Sequence, residues 1–155
     1  MSRVILGKYI NTHGIKGEIR IKSNFKYKDR VFKVGNEIII DNKNYFINSY
    51  RVHKDYDMIT LKGIDDINNI PFPKNTLVYI EKEKYLDNSD YLDSDLIGFI
   101  IYNSEIEKEV LDINYLNGNK KLFKVSDGYI PFELIKKIDF ENKKILIEEV
   151  SGLWK

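Results

Sequence analysis

The chain has 155 residues, 43% hydrophobic and 32% charged, with a formal net charge of +1. That balance fits one globular domain or two small ones. Cysteine is absent, which excludes disulfides, thiolate catalysis and cysteine-ligated zinc. No apolar run reaches membrane-spanning length and the N-terminus lacks a secretory signal, so the cytoplasm is the expected location and no membrane contact is expected.

In chain order, residues 4–10 form an apolar run with Gly7 inside it, at a bulge or barrel bend. A glycine-rich turn, Gly14-Ile15-Lys16-Gly17, follows. Residues 18–22 alternate strictly and predict a half-buried strand, with Glu18, Arg20 and Lys22 on its outer face. Runs at 37–40 and 45–51 flank Asp41-Asn42-Lys43-Asn44 and predict a hairpin. Two more strands are expected at 58–61 and 77–81. Between them, residues 65–70 read as one helical turn N-capped by Asp65 and stopped by Pro71 and Pro73. The charged stretch 81–90 is the linker candidate. Strands then resume at 96–102, 110–115, 121–125 and 145–147, with Asn117-Gly118 as a hairpin signal and 131–137 as a short helix opened by Pro131. Many short strands predict a mostly β protein of two small barrels, residues 1–85 and 86–155, because closure protects strand edges.

Lysine abundance is weak evidence for an anionic partner here. The chain holds 24 Ile, 21 Lys and 15 Asn but no Ala or Gln, a bias that AT-rich codons produce. Distribution says more. Residues 1–85 carry 16 basic against 10 acidic side chains, and residues 86–155 carry 9 against 14. A basic half suits phosphate and an acidic half suits a basic protein, although solvated faces with a chance imbalance fit equally.

No residue set indicates an enzyme, a metal site or a cofactor. His13 and His53 are the only histidines and lack HExxH spacing. Gly14-Ile15-Lys16-Gly17 has the spacing of an RNA-clamping GxxG loop, but that loop joins helices and this one joins strands. A tight hairpin turn with an exposed lysine is the simpler reading. Asp55, Asp57, Asp65 and Asp66 read as structural turn residues. Phe25, Tyr27 and Phe32 interleave with Lys26, Lys28, Arg30 and Lys33. Such rings stack bases beside phosphates or anchor a loop to a barrel, and Phe32 reads as an anchor. Tyr91-Leu92 stands beside the linker, as a hot spot for a protein partner or as an interdomain contact.

Four ordered blocks carry a resemblance over almost the whole chain. They are residues 7–20 with His13-Gly14-Ile15-Lys16-Gly17-Glu18 at their heart; Arg51-Val52-His53-Lys54 followed by Leu61-Lys62-Gly63-Ile64-Asp65-Asp66; Tyr91 through Asp95-Leu96-Ile97-Gly98; and Tyr129-Ile130-Pro131-Phe132 with Ile138-Asp139, Lys143-Lys144-Ile145 and Ser151-Gly152-Leu153. Together they resemble the ribosome maturation factor RimM family. The resemblance implies an N-terminal barrel like those of translation proteins and a C-terminal PRC-type barrel. It implies a non-enzymatic, cofactor-free assembly factor, expected as a monomer, that binds the immature small ribosomal subunit and assists maturation of its head domain and processing of its RNA. The implied protein partner is the nineteenth small-subunit ribosomal protein, with small-subunit ribosomal RNA nearby. The family's paired tyrosines fall on Tyr91-Leu92, so one ring is kept and one hydroxyl lost. The family's alanine and later glycine are replaced by Ile70-Pro71-Phe72-Pro73. The expected protein-binding residues are Tyr91, Leu92 and Asp95, and the expected RNA-facing residues are His13, Lys16, Arg20, Arg51, His53 and Lys54. The rival expectation is a general RNA-binding module that acts through charge alone.

Overall fold

The computed structural model describes residues 2–117 and 120–150. The chain is mostly β and divides into two compact units, one ending at Asp90 and the other beginning at Tyr91. No helix among the described residues is long and apolar enough to cross a membrane.

The first unit contains β1 (Arg3–His13), β2 (Glu18–Lys22), β3 (Glu37–Ile40), β4 (Lys43–His53), β5 (Tyr56–Leu61) and β6 (Leu77–Glu81). They close into a six-stranded barrel in the order β1-β2-β5-β4-β3-β6. Strand β1 closes it by pairing with β2 on one side and β6 on the other. A single strand can serve both neighbours only if it bends. Its register shifts between Ile5 and Gly7 against β6, and between Tyr9 and Asn11 against β2. These bulges turn both Leu6 and Tyr9 inward, three residues apart, where strict alternation would have separated them. Glycine is required at position 7, because a Cβ there would lie 2.5 Å from the Lys22 carbonyl oxygen of β2.

The hairpin predicted around 41–44 has a tighter turn than expected. Ile40 pairs with Lys43, so Asp41 and Asn42 alone make the bend, at φ of 53° and 63°. Two successive left-handed residues give the turn twist that matches flanking strands. Lys43 and Asn44 join β4.

Ile19, Ile21, Ile38, Ile40, Ile47, Ile59, Leu61, Val78 and Ile80 fill the barrel. Phe72, from the loop where the family pattern is replaced, is also buried there. It sets its edge on Tyr9 at 5.0 Å and on Tyr45 at 5.7 Å between ring centroids. The short helix α1 (Lys28–Val31) brings Phe32, which stacks on Tyr50 at 5.4 Å and 8°. That is the anchoring role expected of Phe32. The turn at Ile67–Asn69 is N-capped by Asp66, whose side chain accepts from the Asn68 N–H at 2.8 Å, and not by Asp65. Residues 81–90 pack on this same unit. The helix α2 (Lys82–Tyr85) follows β6, Tyr85 donates its hydroxyl hydrogen to the Glu37 carbonyl at 2.9 Å, and Arg30 grips the Asp90 carboxylate.

The second unit contains β7 (Ile100–Tyr102), β8 (Glu107–Glu109), β9 (Asp112–Tyr115), β10 (Lys121–Val125), β11 (Gly128–Pro131), β12 (Ile135–Asp139) and β13 (Lys144–Ile147). Among the described residues these form two sheets, β11-β10-β9 and β12-β13-β7-β8, rather than one closed ring. Leu96, Phe99, Ile101, Val110, Phe123, Val125, Ile130, Ile145 and Ile147 form its core. The expected helix over 131–137 is instead a single 3-10 turn, Phe132–Leu134, running into β12. Ile135 and Ile138 pack on the core and leave Lys136 and Lys137 exposed on the strand at the edge of its sheet, a pattern that discourages pairing with another chain. Gly118 of the predicted Asn117-Gly118 turn and residues 151–153 of the fourth block lie outside the described residues.

Gly7→Ala is expected to push β2 from β1 and destabilise the chain by about 1–3 kcal/mol, the usual cost of overpacking. Thermal denaturation followed by circular dichroism checks this.

Candidate functional site

The first two sequence blocks, far apart in the chain, meet on the outside of the barrel. In β2 the inward residues are Ile19 and Ile21, so Glu18, Arg20 and Lys22 face out. Arg20 pairs across β5 with Met58, and Met58 pairs across β4 with Arg51. These three therefore share the outer face. Met58 is nevertheless fully buried, although it is not part of the barrel core.

His13, at the end of β1, and His53, at the end of β4, have ring centroids 5.5 Å apart. Arg20 donates from Nη2 to His13 Nδ1 at 2.7 Å and from Nη1 to Asn11 Oδ1 at 3.3 Å. Its guanidinium also lies 5.9 Å from the Tyr56 ring centroid. Arg51 binds Glu18 through two parallel bonds of 2.8 Å, the fork geometry that suits arginine and carboxylate. The hydrogen bond from Arg51 holds Glu18 below the usual carboxylate range, helped by the charges of Arg51, His13 and His53 and opposed by desolvation. Desolvation lowers the pKa of His53, and the nearby Arg51, His13, Lys54 and Arg20 lower it further.

Four of the six expected RNA-facing residues, His13, Arg20, Arg51 and His53, thus belong to one cluster, together with Glu18. The pairing matters. Arg51 spends much of its charge on Glu18, and Arg20 is half-buried among His13, Asn11 and Tyr56. Lys16 stands exposed at the β1–β2 tip beside Ile15, which is 76% exposed. Lys54 occupies the β4–β5 turn at a φ of 56°. That left-handed conformation costs a lysine about 1–2 kcal/mol relative to an ordinary one.

An open groove runs beside this cluster, lined by Lys22, Ser23, Asn24, Lys28, Lys54 and Tyr56. Lys22 and Asn24 were not among the expected site residues. Their signal was the outward position of Lys22 on the alternating strand. At the groove's base, Asp57 is buried, accepts from Lys28 Nζ at 3.0 Å and accepts from the Tyr50 hydroxyl at 2.7 Å. Burial, together with the bond to Asp57, pushes the Tyr50 hydroxyl well above its ordinary pKa. Asp57 is therefore structural, as its turn position suggested.

In the second unit, Tyr91 packs on the core with its ring 5.1 Å from that of Phe140, which in turn meets Phe99 at 5.9 Å. Phe140 is 42% exposed, so it extends the apolar surface that Tyr91 and the half-buried Leu92 begin. Sequence reading missed it because it follows a strand end with no motif around it. Asp95 accepts from the Leu92 N–H at 2.9 Å and so caps the 3-10 turn Asp93–Leu96. Asp93 binds Lys121 at 3.0 Å and accepts from the Tyr115 hydroxyl at 3.1 Å. Burial and Asp93 together push Tyr115 up to about 12.

The RimM N-terminal domain family matches residues 4–85. The ribosome maturation factor RimM of Staphylococcus aureus strain bovine RF122 / ET3-1 is 34% identical, with 97% of this chain and 98% of that protein covered. The chain belongs to the RimM family. The same-named protein of S. aureus strain JH9 aligns with the same identity and coverage. A crystal structure of a 16S ribosomal RNA processing protein RimM from Pseudomonas aeruginosa overlays with a TM-score of 0.48 at 16% identity, covering 97% of this chain and 99% of that one. The blocks at 7–20 and 51–66, brought together by the β2–β5–β4 pairing, both lie inside the matched RimM domain.

The acid stability of the first unit follows from these charges. Glu18 has a lowered pKa in the fold, so its contribution is complete above the unfolded value of about 4.3 and is lost as pH falls through the folded value. Glu18→Gln is expected to flatten that acid limb. His53 also resists protonation in the fold, so stability declines as pH drops below about 6.5, and His53→Gln removes that earlier decline. Melting temperature measured from pH 3 to 8 separates the two windows.

Proposed function

We propose that this chain is a non-enzymatic assembly factor that binds the immature small ribosomal subunit, aids maturation of its head domain and supports processing of its RNA. The observation that carries the reading is the alignment to ribosome maturation factors over 97% of the chain. In this reading the first unit faces ribosomal RNA and the second docks a basic protein, the nineteenth of the small subunit. Charge supports the assignment of lobes. Residues 1–90 hold 16 basic and 12 acidic side chains, and residues 91–155 hold 9 and 12. The excess is modest on each side, so it biases orientation and encounter more than it supplies affinity.

For the second unit, Tyr91, Leu92 and Phe140 offer the apolar contact area and Asp95 stabilises the turn that presents it. In this reading the second unit, two sheets rather than one closed ring among the described residues, corresponds to the family's PRC-type domain. Binding holds a late-folding RNA–protein region in a productive arrangement, and the factor leaves as native contacts replace its own. The protein acts in the cytoplasm and as a monomer in this scheme.

The purified protein is expected to co-sediment with immature small subunits and not with mature ones. Equal binding to both, or to neither, overturns the reading. Tyr91→Ala is expected to weaken that binding by about 2 kcal/mol, the scale of an aromatic hot spot, and Leu92→Tyr to strengthen it. Pelleting at a series of protein concentrations measures both. A charge-only RNA binder would instead lose binding steeply with salt and be indifferent to Tyr91.

A further inference from the structure

We infer that the groove between the end of β2 and the β4–β5 turn is the phosphate-binding subsite of the first unit, with RNA backbone as its ligand; this rests on the reading of that unit as the RNA-facing lobe. The histidine–arginine cluster beside it shares the sign of charge but not the availability. Arg51 is neutralised by Glu18 through both oxygens, and Arg20 is turned into His13 and Asn11. The ammonium groups of Lys22 and Lys54, by contrast, are exposed and have no hydrogen-bond or ion-pair partner among the described residues.

The groove is organised around them. Lys22 Nζ stands 5.7 Å from the Tyr56 ring centroid, a cation–π contact that limits where its flexible stem places the charge. Lys28 also lines the groove, but its ammonium is paired with Asp57 and donates to the Ser23 carbonyl at 3.4 Å, so it shapes the wall and adds little free charge. Asp57 is in turn occupied by Tyr50, so its carboxylate is buried and compensated rather than turned to an incoming anion. Asn24 is exposed on the wall and supplies uncharged donors. One carboxylate, that of the exposed Asp55, stays on the rim.

Lys54 is the telling residue. It is held at a φ of 56°, where glycine or asparagine is the ordinary choice. A strained lysine that lines a groove with two other lysines points to a ligand. Phosphate contacts by lysine are point-charge contacts, tolerant of sequence, so the subsite orients RNA backbone without reading bases.

The test uses the full chain, a fluorescein-labelled ten-nucleotide oligouridylate and fluorescence anisotropy at several salt concentrations. The wild type is expected to bind. The pair Lys22→Gln and Lys54→Gly is expected to lower the slope of log affinity against log salt by about 1.4, since each single-strand phosphate contact contributes about 0.7. Lys54→Gly alone is expected to leave the melting temperature unchanged or raised while binding weakens, because glycine removes the strain; a lost fold would do the opposite. Lys74→Gln, an exposed lysine outside the groove, serves as the control. An unchanged slope in the double variant, an equal loss in the control, or no oligonucleotide binding by the wild type overturns the subsite. Wild-type sedimentation separates that failure from failure of the assembly reading, which stands as long as the protein pellets with immature subunits and not with mature ones.

Discussion

Barrel closure depends on the close approach of β1 to β2 at Gly7. An 11-residue strand must pair with β2 near its end and with β6 near its start. It manages this through two register shifts, and the space for the bend is the missing Cβ of Gly7 against the Lys22 carbonyl. Lys22 thus has its backbone set by the closure contact and its side chain set by Tyr56. Barrel geometry and the groove chemistry meet in one residue.

The outer face of the barrel shows how a cationic surface is kept from repelling itself. His13, Arg20, Arg51 and His53 crowd over a short span of strands β1, β2, β5 and β4. Glu18 accepts two hydrogen bonds from the most exposed arginine, and His53 resists taking up a proton. Each feature removes part of the repulsion that this crowding would create. Ammonium groups without a hydrogen-bond or ion-pair partner among the described residues stand at the edges, at Lys16, Lys22 and Lys54, where solvent screens them from one another.

Much of this was legible in the sequence. The alternation of Glu18 to Lys22 gave both the strand and its outer face, and β6 and β10 fell at their expected bounds. Pattern failed where tertiary contacts decide. Ile135-Lys136-Lys137-Ile138 reads equally as a helical turn or as an edge strand, and pairing with β13 resolves it. Strand β8, Glu107-Lys108-Glu109, carries no apolar alternation and is defined only by its pairing with β7. In the site, the histidines and arginines were visible as motifs. The Arg51–Glu18 fork was not, because 33 residues separate its partners. Nor was the status of Asp57, whose burial comes from the barrel wall rather than from its neighbours in sequence.

The contact between Arg20 and His13 fixes more than position. A guanidinium has no lone pair to offer, so Nδ1 of His13 must be the acceptor in their 2.7 Å contact. The imidazole then carries its hydrogen on Nε2, the opposite corner of the ring. A single tautomer is selected from two by a neighbour seven residues along the chain. The remaining hydrogen-bonding edge of His13 is thereby a donor and not an acceptor.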